Sequence, residues 1–144
     1  MAGFSLKRSM NEVQFATVRI SSQAYTIGDA VMLDRTSDSV DVIPATSATV
    51  TTNIYGVAME TVTSSATSLL IAIIEPSQVW LVESANASNA SHTGERMILT
   101  DANTVNNTGT DSATDEAICL QVGTVGATSD NRILVKFLQA ALAA

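Results

Sequence analysis

Apolar residues in this chain recur in short runs separated by clusters of Ser, Thr, Asn, Asp and Gly, the spacing of an all-β barrel or sandwich. Tyr25, Ile27, Val31 and Leu33 share a period of two, interrupted by Gly28-Asp29, which predicts a turn or bulge. Val40 and Val42 begin a short strand that Pro44 ends or places at a sheet edge, because proline has no N–H to donate to a ladder. From Ile54 to Val62 the alternation sets Tyr55, Val57 and Met59 on one face. The opposite face, Gly56, Ala58 and Glu60, is small enough at its start to admit another backbone closely. Leu69 to Ile74 is apolar throughout, which predicts a central strand buried on both sides and stopped by Glu75-Pro76.

Val79 to Val82 follows, with Trp80 alternating against Val79 and Leu81 in a position that predicts an outward indole at an interface. Residues 84–94 and 101–115 read as polar loops around a short strand at Met97-Ile98-Leu99. The clearest hairpin has Ile118, Leu120 and Val122 alternating with Cys119 and Gln121 on one strand and Ile133, Val135 and Phe137 alternating with Leu134 and Lys136 on the other, with Gly123, Gly126 and Ser129-Asp130-Asn131 supplying the turn chemistry. The total is about eight strands of five or six residues, enough for one barrel or sandwich over residues 21–144. Alternation alone does not separate the two.

Residues 1–20 fit this pattern poorly. Ser9 with Glu12 would cap a short helix; alternatively, the segment is an extended arm with Phe4, Leu6 and Phe15 as apolar anchors. Three anchors set among Lys7 and Arg8 favour the arm, docking on a neighbour. Charge supports the division. Lys7, Arg8 and Arg19 oppose Glu12 in residues 1–20, a net +2, whereas the remaining four basic and thirteen acidic residues give −9. An overall charge of −7 argues against a nucleic-acid partner, since phosphate binding depends on Lys and Arg.

Charged residues are only 15% of the chain, against roughly 25% in an ordinary domain, so Ser and Thr supply much of the polar surface. The single Cys119 has no partner for an internal disulfide, and the N-terminal Met-Ala-Gly-Phe-Ser-Leu-Lys-Arg lacks the apolar core of a secretory signal. Synthesis in a reducing cytoplasm is the expectation. The run Leu69–Ile74 is far shorter than the roughly 20 residues needed to span a bilayer, so no membrane partner is expected.

Reactive chemistry is sparse. His92, the one histidine, lies in a Ser/Asn loop and reads as a solvated residue rather than a catalytic base. Cys119 reads as a small packed hydrophobe. One Cys and one His exclude the usual structural zinc sites. Asp101, Asn103, Asn106 and Asp111 offer oxygen ligands without the spacing of a calcium loop, and Asp115-Glu116 reads as a solvated strand end. No glycine-rich phosphate loop occurs. Neither an enzymatic activity nor a cofactor is expected.

Several short motifs follow a recognisable order. They are Gly28-Asp29-Ala30-Val31, Tyr55-Gly56-Val57-Ala58, Leu70 to Val82 around Pro76, Gly94 to Thr100, and Gly123-Thr124-Val125-Gly126 leading to Ile133-Leu134-Val135-Lys136-Phe137. Over about residues 25–138 this order resembles the capsid cement, or decoration, proteins of tailed phages. The resemblance implies a small β-barrel or sandwich bound as a trimer or dimer to the exterior of the phage head, bridging major capsid protein subunits. Phe4, Leu6, Lys7, Arg8, Phe15, Arg19 and Trp80 would then contact the partner, and removing residues 1–20 would leave a folded body that binds heads poorly. Two other readings share the composition: a tail or head-fibre subunit, and a carbohydrate-binding module using loops 84–94 and 101–115 with Trp80, Tyr25 or Tyr55.

Overall fold

The computed structural model describes residues 3–34, 42–49, 53–107, 117–126 and 130–138. Val40, Thr108, Gly109, Asp111, Asp115, Glu116 and Ser129 lie outside them. Among the described residues eleven strands form: β1 (Ser5–Arg8), β2 (Phe15–Arg19), β3 (Ala30–Leu33), β4 (Val42–Pro44), β5 (Ile54–Ala58), β6 (Ser68–Ile73), β7 (Val79–Ser84), β8 (Arg96–Asp101), β9 (Thr104–Asn106), β10 (Cys119–Thr124) and β11 (Arg132–Phe137). The fold is all-β, as the alternation predicts, with a 3₁₀ turn at Ala90–His92.

Five strands close a barrel in the order β7-β11-β10-β8-β9, with β9 returning parallel to β7. One edge of β7 carries β11. The other is shared, with β1 opposite Val79–Leu81 and β9 opposite Glu83 and Ser84. The remaining strands form an antiparallel sheet in the order β2-β6-β5-β3-β4.

Local chemistry explains much of this second sheet. Gly28 turns the chain at φ +95°, and the Asp29 amide donates to Thr26 O at 2.9 Å, so the turn expected before β3 forms. Pro44 ends β4 at the sheet edge. β6 is central, and both its faces are buried: Leu69 and Ile71 belong to one apolar cluster, Ala72 and Ile74 to the other. Gly56 lies so close to β6 that a Cβ there would sit 2.6 Å from Ala72 O.

One alternation changes face. A bulge opposite Val31 and Met32 makes Tyr55 an extra residue in β5. Ile54, Val57 and Met59 therefore pack toward the barrel, while Tyr55 joins the cluster on the far side of the sheet. The expected Tyr55–Val57–Met59 face is split for this reason. The hairpin β10–β11 forms, with the buried Cys119 and Gln121 opposite Phe137 and Val135, Leu120 and Val122 half-buried, and a second bulge between Gln121 and Gly123.

The expected polar loop 101–115 is corrected over residues 101–107. The chain turns at Ala102 and Asn103, and β9 supplies the strand that closes the barrel, with Val105 fully buried.

The division at residue 20 is corrected as well. Residues 3–20 are no detached arm, and no capped helix forms at Ser9–Glu12: β1 joins the barrel sheet, β2 joins the second sheet, and residues 9–14 cross between them. Phe4 is 4% exposed and packs its ring 4.9 Å from that of Phe137, which anchors the segment within its own chain. Removing residues 1–20 would therefore take out two strands and part of the core.

Two substitutions test this account by chemical denaturation. Phe4→Ala is expected to cost roughly 3–5 kcal/mol, the range for a buried phenylalanine, whereas a detached arm would show almost no effect. Gly56→Ala is expected to cost about 1–3 kcal/mol by forcing β5 and β6 apart.

Candidate interaction surface

The seven residues expected at a partner contact divide into two groups. Phe4 and Trp80 are buried, and Leu6 is half-buried against the same core. Trp80, 1% exposed, meets Phe137 edge-on at 6.1 Å and 79°, so the expectation of an outward indole is corrected. β1 runs antiparallel beside β7, with Leu6 opposite Trp80. Lys7 and Arg8 on β1, and Phe15 and Arg19 on β2, remain exposed.

Alternation along β2 produces this exposure. Ala16 and Val18 pack into the second cluster, which turns Phe15, Thr17 and Arg19 to the opposite face. Phe15 is 56% exposed, unusual for an aromatic residue within a strand. Met10, in the crossing between β1 and β2, is 87% exposed, and Ile27 is 45% exposed. Sequence reasoning missed both. Met10 carried a usable signal, an apolar side chain between Ser9 and Asn11 in a segment already marked by basic residues.

Two clefts adjoin this N-terminal region. The larger, about 540 Å³, lies where the crossing segment meets the β6–β7 turn and is lined by Asn11, Gln14, Ile73, Ile74, Glu75, Pro76 and Ser77. Glu75 Oε2 and Ser77 Oγ are buried there without hydrogen-bond partners. Gln78 holds the turn, accepting from the Glu75 amide at 2.8 Å and donating to Ile73 O at 3.2 Å. The smaller cleft, about 260 Å³, runs beside β1 between Phe4, Leu6, Ile27, Met59 and Trp80.

Cys119 is fully buried, and burial pushes its thiol up to about 12. Tyr25 donates to Val42 O at 3.2 Å; burial, with Asp29 adding to it, raises its hydroxyl to about 12. His92 Nδ1 lies 2.6 Å from Glu95 Oε2 in a partly exposed loop pair. Asp130 is held down to about 2 by its hydrogen bonds from Arg132 beside the last hairpin.

Hydrogen bonds tie the described parts of the polar loops to neighbouring backbone. Asn107 Nδ2 donates to Asn86 O and Ala87 O, Gln121 Nε2 donates to Asn89 O, and Ser84 Oγ donates to Asn131 O. Asp101 Oδ1 accepts from the Asn103 amide, and Asn103 donates to Asp29 Oδ1 at 3.3 Å. Among the described residues, no three His, Cys, Asp or Glu side chains converge in a metal-binding group.

No model of a known protein family matches the chain, and no curated protein sequence matches it significantly.

The buried thiol provides a direct check on the closed barrel. Cys119 is expected to resist alkylation in the native protein at mildly alkaline pH, where a thiol titrating near 12 has almost no thiolate, and to react promptly in denaturant. Rapid labelling of the native chain would contradict the placement of β10 in the barrel wall.

Proposed function

We propose that this protein is a structural component of a virion, a cement protein that binds the exterior of an assembled phage head and bridges neighbouring major capsid subunits. The observation that supports this reading is the exposed basic and apolar surface of the first two strands, Lys7, Arg8, Met10, Phe15 and Arg19, on an otherwise acidic chain. Lys7 and Arg8 make no ion pair among the described residues and are available to an acidic partner. The order of motifs shared with decoration proteins adds to this support, because Gly28-Asp29-Ala30 and Gly56 are positions on which the strand connections depend.

The mechanism is thermodynamic linkage. A protein that binds the mature shell, but not its dissociated or immature subunits, stabilises the shell in proportion to its occupancy. Each contact can be weak. Bridging two subunits raises the effective concentration of the second contact, and repetition over the lattice multiplies the effect. The acidic body facing solvent keeps a dense array of copies from self-associating. In this reading the protein is made in the host cytoplasm and has no catalytic role.

Mixing purified protein with expanded and unexpanded heads, followed by sedimentation, tests the reading. Saturable binding to expanded heads alone is expected, and the double variant Lys7→Glu/Arg8→Glu should bind roughly tenfold more weakly, about 1.4 kcal/mol. Absence of binding to either form would refute the cement reading.

A further inference from the structure

Buried polar atoms of a folded chain nearly always have hydrogen-bond partners, so atoms that find none within the protein call for an explanation. Glu75 Oε2 and Ser77 Oγ are two such atoms, and both belong to the β6–β7 turn. That turn lines the cleft of about 540 Å³ together with Asn11 and Gln14 of the crossing segment.

The backbone around the cleft is pinned. Gln14 O accepts from the Ile73 amide at 2.8 Å, which holds the crossing to the end of β6. Gln78 spans the turn from the Glu75 amide to Ile73 O. The side chains of Asn11, Gln14, Glu75 and Ser77 take no part in this scaffold and make no hydrogen bond with another described residue. A fixed frame with unused polar groups loses little entropy when a ligand docks.

Chemistry narrows the occupant. Glu75 is the one charged side chain among the described lining residues, so the cleft favours a cation over an anion. A metal ion fits poorly, because hard cations take several oxygen ligands, and no three acidic, histidine or cysteine side chains converge among the described residues. Ile73, Ile74 and Pro76 supply an apolar wall for an aliphatic stem. An arginine side chain has such a stem, and its planar head carries five N–H donors and no acceptor. Its fork suits a carboxylate and a hydroxyl on one turn better than the compact ammonium of lysine does. The cleft is larger than one side chain, and the Asn11 and Gln14 amides, each both donor and acceptor, suit flanking peptide groups.

We propose that this cleft binds an arginine side chain of a partner polypeptide, with the guanidinium held by Glu75 and Ser77 and the stem lying on Ile73, Ile74 and Pro76. Rotation about side-chain bonds brings the carboxylate and the hydroxyl to the incoming donors while the pinned backbone stays in place. The site is occupied without any head, so it stands or falls separately from the proposed function.

Nuclear magnetic resonance titration of the full-length chain provides the test. A blocked alanine–arginine–alanine tripeptide should shift the amide resonances of Asn11, Gln14, Ile73, Glu75 and Ser77 saturably. Its lysine and citrulline counterparts, and ethylguanidinium, which lacks peptide groups, should each bind at least about fivefold more weakly. Glu75→Gln keeps the side-chain shape and breaks no internal hydrogen bond. It should fold as the wild type does and lose roughly tenfold in affinity for the arginine tripeptide, and Ser77→Ala should lose roughly threefold. Shifts that do not saturate, or full affinity in Glu75→Gln, would overturn the site. Equal binding of the citrulline or lysine tripeptide would overturn the guanidinium, and equal binding of ethylguanidinium would overturn the polypeptide source.

Discussion

Three consecutive backbone units, Gly28, Asp29 and Ala30, join the barrel to the second sheet. The Gly28 amide donates to Ala58 O and its carbonyl accepts from Phe4; the Asp29 carbonyl accepts from Ala58; the Ala30 amide donates to Ala102 O and its carbonyl accepts from Ala45. The Asp29 carboxylate accepts from the Thr26 amide and from Asn103 Nδ2. Buried backbone groups left without partners would carry a substantial free-energy penalty, so a junction that satisfies so many at once restricts how the layers can be arranged. Glycine is needed at this crossing. A Cβ on Gly28 would meet Gly3 Cα at 3.0 Å, and both glycines have positive φ.

The positions of the N-terminal strands follow from that junction. With Phe4 bonded to Gly28 and Gly3 bonded to Asn103, the chain enters beside β7, and the Phe4 ring meets Phe137. Residues 9–14 then carry it to the second sheet, leaving Met10 exposed and Lys7, Arg8 and Phe15 on the outside. Lys7, Arg8, Phe15 and Arg19 are therefore carried on paired strands. A rigid contact loses less conformational entropy on binding than a tethered arm would.

Barrel closure and the inward hydrogen bonding of the polar loops also shape the surface chemistry. Ser84, Asn107 and Gln121 side chains donate to backbone carbonyls of the loops at the barrel end. Among the described residues the exposed large apolar side chains are Met10, Phe15 and Ile27. The net acidic charge opposes general association, while Lys7, Arg8 and Arg19 stand exposed on the first two strands.

Much of the sheet structure is legible from local chemistry. The Gly28-Asp29 turn, the edge position of Pro44, the buried strand β6, the close approach at Gly56 and the β10–β11 hairpin each depend on residue type and a period of two, properties carried within a few neighbouring positions. The roles of Phe4 and Trp80 are not local. An apolar side chain among polar neighbours reads equally as an anchor for a partner or as core, and here the choice depends on Phe137, far away in sequence. β9 was hidden because only Val105 among Thr104, Val105 and Asn106 is apolar, and its strand identity comes from pairing with β7 and β8. The bulge at Tyr55 likewise arises from register with β3. By itself the sequence determined an all-β chain with a basic, apolar beginning and an acidic remainder. Tertiary structure decided which apolar residues face inward, because burial depends on long-range pairing that alternation along one strand does not specify.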